Sequence, residues 1–259
     1  MTVLHIGLVG DESTHALDLA SLLTRRPQEG FLAAVVRPVR EWSCEAVATV
    51  EDLVGKVDVA VITTRDGRDH ARQALPLLEA GMRVFVDKPF ATRVDDALAM
   101  LTMAQRSGGA VTSFSALRFA PEVAQFKGLP ITALEASGPA DPSSPNAGLA
   151  FYGCHVVEMA LEILPMEGAV VERADEPAVR VLRVADGAVP VTLKLLEPGS
   201  PFRLEAELEG GGRVSTDVPV GPGYFDVAAE RILSFLQGAD GLPSHELVAS
   251  VQLLAHLLE

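Results

Sequence analysis

Five apolar segments alternate with helical segments over the first 115 or so residues, and this alternation restricts the fold more than any other feature of the chain. The apolar segments cover residues 3–9, 31–37, 57–64, 84–86 and 110–115. Strands without a polar face are typical of a parallel sheet that is covered by helices on both faces. The pattern therefore predicts a doubly wound α/β sheet with right-handed crossover connections.

The segments between these strands carry the start and stop signals of helices. An amphipathic stretch over 14–26 is followed by a proline, and a helix over 70–81, which His70 is expected to begin, ends at a glycine. Thr92, with Asp95 three residues later, indicates a capping box at the start of the next helix. The first part of the chain thus reads as a Rossmann-like domain.

The second half of the chain has a pattern of period two. Apolar and polar residues alternate between 169 and 218, as in FRLEAELE at 202–209, which is typical of antiparallel strands with one covered face. A helix is expected over 151–164, and two more helices close the chain. The sequence predicts two domains: a Rossmann-like dinucleotide-binding domain over 1–117, and an α+β domain with a mostly antiparallel open sheet over 118–259.

Composition excludes several classes of partner. The net charge of −14 disfavours nucleic acid and anionic membrane surfaces. No apolar run has the length of a membrane span and the N-terminus lacks a signal-peptide pattern, so a cytoplasmic location is expected. Cys44 and Cys154 stand in unrelated contexts, which argues against a disulfide framework or a zinc site, and no metal site is predicted.

The carboxyl ends of the predicted parallel strands form the edge where ligands bind in open α/β sheets. Four segments meet this edge: 10–15, 37–40, 63–70 and 87–90. The last contains Lys88, directly before Pro89, where a cis peptide bond would fix the direction of the lysine. Topology alone leaves two interpretations of Lys88, a ligand-binding group or a solvated turn residue.

The turn after the first strand departs from the dinucleotide-binding pattern G-x-G-x-x-G. Gly10 fits the first glycine, but Glu12 occupies the second position, and with Asp11 it would place negative charge near a pyrophosphate. Ser13 and Thr14 can cap the following helix or donate to a phosphate. The turn keeps one of the glycines that a dinucleotide requires.

The second strand ends in Arg37 rather than in the acidic residue that binds an adenosine ribose. Arg37 and Arg40 can accommodate a 2′-phosphate, which favours NADP over NAD, or they are ordinary surface arginines. The residues leave both interpretations open.

The run VDVAVITT…H…ALPLLEAGMRVFVDKPFA, continuing into SALRFAPEV, resembles the glucose–fructose oxidoreductase/inositol dehydrogenase (Gfo/Idh/MocA) family. Asp87, Lys88 and Pro89 stand where that family has Glu-Lys-Pro, and the turn at Gly10 is about three residues shorter than its usual form. The resemblance implies a nicotinamide cofactor on the first domain, with Thr63 and Thr64 at its nicotinamide half, and Asp87 and Lys88 beside it. It also implies a sugar-like alcohol between the domains, hydrogen-bonded by Lys88.

The family's second motif, Asp-x-Gly-x-His-x-x-Asp, corresponds here to residues 151–158, where Phe151 and Glu158 replace the two aspartates. His155 has the chemistry of a general base for an alcohol, and Glu158, three residues on, lies on the same helix face and can support it. Tyr152 can supply a hydroxyl in place of the missing carboxylate. The alternative is that His155 only packs the start of the helix, as Cys154 beside it is expected to do.

Three functions are open, of which the third is lyase or hydrolase chemistry with a tightly held, transiently used NAD that the same residues can support. The first is an NAD(P)-dependent oxidoreductase acting on a sugar, cyclitol or related compound, in which Lys88 stabilises the developing alkoxide and His155 moves the proton. The second is a family member without catalysis that binds a nucleotide, a sugar or a partner protein, which the altered glycine turn and Phe151 favour. A homodimer through the C-terminal sheet is expected in each case.

Overall fold

The computed structural model describes residues 3–166, 170–173, 180–185 and 189–258. The chain forms two compact units. The first consists of Met1–Phe114 and Phe225–Leu242, and the second of Ser115–Tyr224 and Pro243–Glu259. Each unit has its own six-stranded sheet.

The sheet of the first unit is parallel throughout, as the apolar strand pattern predicts. Its spatial order is β3-β2-β1-β4-β5-β6, the order of a dinucleotide-binding Rossmann sheet. The strands are β1 (Leu4–Val9), β2 (Gly30–Val36), β3 (Glu45–Val47), β4 (Val59–Ile62), β5 (Arg83–Val86) and β6 (Ala110–Thr112). All four residues of β4 are buried, because helices cover both faces of the sheet.

Four helices belong to this unit: α1 (Thr14–Arg25), α2 (His70–Glu79), α3 (Val94–Ser107) and α6 (Asp226–Leu236). The predicted capping box of α3 is wrong. The N-cap is Arg93, whose backbone is extended and whose side chain makes no capping hydrogen bond. Because the helix begins at Val94, Asp95 lies in the first turn, where a carboxylate interacts favourably with the helix dipole.

The observed units differ from the predicted domains in where helix α6 belongs. The sequence pattern places residues 226–236 in the second domain, whereas the helix is part of the first unit. It packs on the first unit, where the guanidinium of Arg83 on β5 donates to the carbonyl of Phe235 at 2.9 Å and lies over its ring. The chain therefore crosses between units near residues 114–115, returns after Tyr224 and crosses again after Leu242.

The second unit has the sheet order β12-β11-β7-β10-β9-β8. Its strands are β7 (Ile131–Pro139), β8 (Val170–Arg173), β9 (Arg180–Ala185), β10 (Val191–Leu196), β11 (Phe202–Leu208) and β12 (Arg213–Val218). The sheet is mostly antiparallel, as predicted, and the β7–β10 pair is parallel. Parts of the predicted period-two region, 169, 174–179 and 186–188, lie outside the described residues.

One face of this sheet is covered and the other is charged. Along β11, Phe202, Leu204 and Ala206 are buried, whereas Glu205 and Glu207 point to the open face. The helices of the unit are α4 (Pro121–Ala124), α5 (Ala150–Ile163) and α7 (Ser244–Leu258), together with a short 3-10 helix over Ala116–Phe119. In the described ranges of the chain, no helix has the length and apolarity needed to cross a membrane.

Candidate functional site

The carboxyl ends of β1, β2, β4 and β5 lie along one edge of the parallel sheet, which brings the four predicted segments together. We call this edge the strand-end rim. Several of its polar side chains are buried although they lie beyond the strand ends: Asp11, Ser13, His15, Thr63, His70, Asp87 and Lys88. Burying polar and charged groups costs free energy unless they have hydrogen-bonding or ionic partners, so these side chains form an organised polar cluster at the rim.

Gly10 makes the turn that starts this rim. Its φ of +86° is left-handed, and a Cβ atom there would lie 2.2 Å from the backbone nitrogen of Thr64. The hydroxyl of Thr63 donates to the carbonyl of Gly10 at 2.8 Å. Glycine is therefore required at this position for a close approach between the turn and the end of β4.

The first turn of α1 carries a histidine to which the sequence assigned no role. Ser13 is the N-cap and accepts from the backbone N–H of His15 at 3.2 Å, while Thr14 is exposed. The His15 Nδ1–H donates to Oδ2 of Asp87 at 2.8 Å, and the ring stacks on Phe225 with centroids 4.2 Å apart. His15 thus fixes the residue directly before Lys88.

Asp87 and Lys88 follow β5 and are almost completely buried, with 3% and 6% of their surfaces exposed. Burial opposes ionisation of Asp87, but the charges of His15 and Lys88 and the hydrogen bond from His15 outweigh it and lower its pKa from 3.8 to about 2. The Lys88–Pro89 peptide bond is cis, as the sequence suggested. Since its side chain is buried, Lys88 is not a solvated turn residue.

His70 starts α2, as expected, and its buried ring also joins two segments of the rim. Nδ1 lies 2.8 Å from the carbonyl oxygen of Pro89, and Nε2 lies 2.7 Å from that of Thr64. A neutral ring can donate to one of these carbonyls, whereas a protonated ring can donate to both. The turn after β5 is thus tied to the end of β4.

The Asp11 carboxylate holds the loop after β2. It accepts hydrogen bonds from the backbone N–H groups of Val39 and Arg40 at 3.0 Å and from Nε1 of Trp42 at 2.8 Å. Burial raises the pKa of Asp11, but these hydrogen bonds and the Arg40 charge outweigh it, so the pKa is lowered. Asp11 therefore stays ionised, with its charge stabilised by donors from the loop after β2.

The two candidate phosphate ligands differ in their surroundings. The Arg37 Nε donates to the carbonyl of Ala48 at 2.7 Å on the exposed surface. Arg40 lies against the glycine-poor turn, with Nη2 3.4 Å from the carbonyl of Glu12 and with Nη1 buried and without a hydrogen-bond partner. Of the two, Arg40 is the better placed for an anionic group.

Unpaired buried polar atoms test whether a nicotinamide nucleotide fits the rim. Within the described residues five such side-chain atoms occur, and three are on the rim: Arg40 Nη1, Thr64 Oγ1 and Asp87 Oδ1. A cationic donor, a hydroxyl and a carboxylate acceptor match the phosphate, hydroxyl and amide groups of such a ligand. The residues fit this class of cofactor, although the turn lacks the second glycine that gives a pyrophosphate close access.

The second set of candidate residues lies in the second unit, on α5. His155 is buried, and its Nδ1 lies 2.6 Å from the hydroxyl oxygen of Ser115. The backbone N–H of Ser115 donates to Oε2 of Glu158 at 3.0 Å. Ser115, which the sequence did not single out, therefore links Glu158 to the imidazole.

Arg118, also in this unit, is a buried guanidinium surrounded by carboxylates. It bonds Glu162 at 2.5 Å and Glu246, and it lies 3.7 Å from Glu158. Burial lowers the pKa of Arg118, but the three carboxylates outweigh it and raise the pKa. The cluster fixes the segment that contains Ser115 against α5 and α7.

The remaining residues of the motif have different surroundings. Phe151 and Cys154 are buried in α5, and Cys154 packs as expected. The Tyr152 ring is exposed, and its centroid is 6.2 Å from that of the His155 ring. Among the described residues no cluster of side chains has the composition of a metal site.

Comparison with known sequences gives a match over residues 7–114 to the sequence model of the Gfo/Idh/MocA family, described as an oxidoreductase family with an NAD-binding Rossmann fold. Inositol 2-dehydrogenase of Gluconacetobacter diazotrophicus is 41% identical over 68 residues, which are 25% of this chain and 20% of that protein. Inositol 2-dehydrogenase 3 of Saccharopolyspora erythraea is 45% identical over 51 residues, which are 19% of this chain and 15% of that protein. The similarity thus spans about a fifth of the length of these relatives.

Solved structures resemble the whole chain in fold. GenD2 from gentamicin A biosynthesis, solved in complex with NAD, has a TM-score of 0.81 at 17% identity, covering 98% of this chain and 93% of that one. The WlbA dehydrogenase of Bordetella pertussis, solved with NADH and UDP-GlcNAcA, has a TM-score of 0.75 at 15% identity, covering 98% and 94%. At these identities the likeness shows the fold. Residues 7–114 thus match the Gfo/Idh/MocA oxidoreductase family with its NAD-binding Rossmann fold, and the fold of the whole chain is that of the solved structures.

Proposed function

We propose that the protein is an NAD(P)-dependent oxidoreductase acting on a sugar, cyclitol or related hydroxylated small molecule. The observation that supports this most is the buried Asp87–Lys88 pair beyond β5, on a rim with three unpaired polar atoms, in a domain that matches an NAD-binding family. When bound, the nicotinamide ring would supply hydride exchange. The residues of the chain supply binding, orientation and proton handling.

Lys88 is proposed as the group that binds the substrate hydroxyl and stabilises the negative charge that develops on its oxygen. His155 is proposed as the general base, with Glu158 in support and Tyr152 as a further hydroxyl. The residues proposed to contact the cofactor are Gly10, Ser13, Thr14, Arg37, Thr63, Thr64, Asp87 and Lys88.

The preference for NADP over NAD stays a prediction. Arg40 supports it better than Arg37, because the Arg37 side chain already bonds Ala48 while one Arg40 nitrogen is unpaired. The inositol 2-dehydrogenases and the WlbA dehydrogenase solved with UDP-GlcNAcA support a polyol or sugar-like substrate.

Two properties of the whole molecule are part of the same proposal. A homodimer through the open face of the second sheet is proposed, and this face carries a cleft of about 500 Å³. Glu135, Glu205, Glu207 and Arg213 line this surface, so the contact would be polar. A cytoplasmic location also stays a prediction.

A thermal-shift titration with NAD, NADP and their reduced forms tests the cofactor. A nucleotide that binds the folded state at a hundredfold excess over its Kd stabilises it by about 2.7 kcal/mol, so the melting temperature rises. If all four nucleotides leave the melting temperature unchanged, the oxidoreductase proposal fails and the non-catalytic alternative takes its place.

Activity on a panel of polyols and sugars then tests the residue roles. Lys88→Met removes the charge and keeps most of the volume, and Lys56→Met makes the same change at an exposed lysine of the same unit, paired with Glu45. We expect a loss of at least about a hundredfold in kcat for Lys88→Met and His155→Ala and little change for Lys56→Met. Full activity of Lys88→Met and His155→Ala would refute the assigned roles.

A further inference from the structure

The strand order of the parallel sheet places its topological switch point between β1 and β4. These strands are neighbours, and the sheet continues from them in opposite directions, to β2 and β3 on one side and to β5 and β6 on the other. Ligands of open α/β sheets bind at such a reversal, because the loops after the two strands diverge there. We call the loops over 10–13 and 63–66, after β1 and β4, the switch loops.

One exposed side chain connects the two switch loops. The carboxylate of Glu12, after β1, accepts a hydrogen bond from the backbone N–H of Arg65, after β4, at 3.0 Å. The two residues are 53 positions apart, so the fold of the sheet brings them together. A carboxylate that accepts from a backbone N–H makes the same kind of charge-assisted bond that a phosphate oxygen makes.

The groups around this bond are those that bind a phosphate. At the Glu12 end, Arg40 places Nη2 3.4 Å from the carbonyl oxygen of Glu12, and its Nη1 is buried and unpaired within the described residues. At the other end, Thr64 directly precedes Arg65 and has a buried hydroxyl oxygen that is unpaired in the same sense. The chain thus places its own carboxylate among a cation, a hydroxyl and a backbone donor.

The two acidic residues of this turn differ in how firmly they are held. Asp11 is 1% exposed, and its carboxylate accepts from Val39, Arg40 and Trp42 of the loop after β2. Glu12 is exposed and reaches the Arg65 N–H from the surface. Because water can replace an exposed hydrogen bond at little cost, the Glu12 carboxylate can leave while Asp11 stays in place.

We propose that Glu12 is a determinant of nucleotide affinity, whose carboxylate occupies a phosphate position at the switch loops in the free chain and leaves when a nucleotide binds. The inference rests on the proposed function for the class of ligand. Glu12 weakens binding in two ways, because its bond to Arg65 must break and because its charge repels an approaching phosphate.

Isothermal titration calorimetry of the full chain with NAD, NADP, NADH and NADPH tests the effect on affinity. We expect the Kd of at least one nucleotide to be roughly three- to thirtyfold lower in Glu12→Ala than in wild type, the effect of one hydrogen bond and one repelling charge. Glu41→Ala removes the same charge from an exposed residue of the loop after β2 and should change the Kd by less than about twofold. A Kd that is unchanged or higher in Glu12→Ala overturns the inference.

The bond between the switch loops is measured without a nucleotide. In proton–nitrogen correlation spectra of the full chain, the Arg65 amide proton should move upfield in Glu12→Ala, because it loses a charged acceptor, and should stay in place in Glu41→Ala. If the Arg65 resonance is the same in Glu12→Ala and wild type, the bond is absent in solution and the inference fails.

The outcomes separate this inference from the proposed function. Equal Kd values for wild type and Glu12→Ala refute the role of Glu12 and leave the nucleotide site in place, whereas binding by Glu12→Ala alone supports both. If neither chain binds any of the four nucleotides, the proposed function fails and the inference fails with it. Glu12→Asp withdraws the carboxylate by one methylene and should also lower the Kd, so it replaces Glu12→Ala if that variant does not fold.

Discussion

His15 Nδ1 and Asp87 Oδ2 form a buried hydrogen bond of 2.8 Å that joins the first turn of α1 to the end of β5. The two residues are 72 positions apart in sequence, and both are about 95% buried. The bond keeps Asp87 ionised next to Lys88, and it leaves Asp87 Oδ1 without a partner in the described residues. The His15–Asp87 pair thus leaves one carboxylate oxygen, Oδ1, as a hydrogen-bond acceptor at the strand-end rim.

Stability should depend on Asp87 in acid. The pKa of Asp87 is about 2 in the folded chain against 3.8 for the ordinary carboxyl, so its stabilising contribution is complete above pH 3.8 and is lost as the pH falls through about 2. From the shift, we expect the difference in free energy of unfolding between wild type and Asp87→Asn to narrow by about 2 kcal/mol between neutral pH and a pH near 2. Urea unfolding across this range measures it.

The double variant His15→Gln/Asp87→Asn is the control for this pair. If the bond is the source of the effect, adding His15→Gln to Asp87→Asn costs less than His15→Gln costs alone at neutral pH. The bond is not the source if the two substitutions have additive effects on the free energy of unfolding. The same holds if the difference in that free energy between wild type and Asp87→Asn does not narrow in acid.

Gly10 and Gly55 form a matched pair for testing the close turn. Both are left-handed, with φ of +86° and +80°, but a Cβ at Gly10 would meet Thr64 at 2.2 Å, whereas at Gly55 none of the described atoms lies within 4 Å. We expect Gly55→Ala to cost about 1 kcal/mol and Gly10→Ala about 2–5 kcal/mol in the free energy of unfolding. If urea unfolding gives equal losses of unfolding free energy for the two variants, a Cβ at Gly10 is not crowded.

The fold of the first unit is predictable because its signals are local. Apolar strands and helix stops each act within a few residues, and they agree with each other. The place of α6 is different, since it depends on Arg83 reaching Phe235 and on the Phe225 ring meeting His15, contacts between segments more than 150 residues apart. The parallel β7–β10 pair is likewise set by chain topology.

The candidate site divides in the same way. Lys88 and His155 could be found because they stand in motifs, whereas His15, Trp42 and Ser115 act through partners 72, 31 and 40 positions away. For His15, the local signal in the sequence is its position in the first turn of the helix that follows β1. The roles of the Ser115 hydroxyl and the Trp42 indole cannot be predicted from sequence, because they depend on contacts that form when the loops that hold them fold.

Trp42 is the sole tryptophan of the chain and reports on the Asp11 carboxylate that it donates to. Asp11→Ala leaves the indole and two backbone donors without their acceptor, so the loop after β2 should loosen at a cost of about 1–3 kcal/mol. We expect Trp42 emission to move to longer wavelength and acrylamide quenching to increase. Glu41→Ala, at the exposed neighbour of Trp42, is the control and should leave both unchanged.

Arg118 and Arg203 allow a test of burial. Both bond carboxylates, but the Arg118 side chain is 3% exposed and Arg203, which pairs with Glu205 and Asp217, is 39% exposed. Arg118→Met leaves buried carboxylates without their cation and should cost about 3–5 kcal/mol in unfolding free energy. Arg203→Met should cost much less, because exposed ion pairs contribute little to stability. Similar losses in chemical denaturation would contradict the structural role of Arg118.

Fluorescence titration of the full chain with NADH and NADPH shows whether a reduced nicotinamide binds at the rim, because Trp42 lies on the loop bound to the strand-end rim and reduced nicotinamide accepts its emission energy. We expect saturable quenching of Trp42 by at least one of the two nucleotides, and we expect Arg40→Met to weaken the binding of NADPH more than that of NADH. Quenching that stays linear with concentration for both nucleotides would contradict a nicotinamide site on the rim beside Lys88.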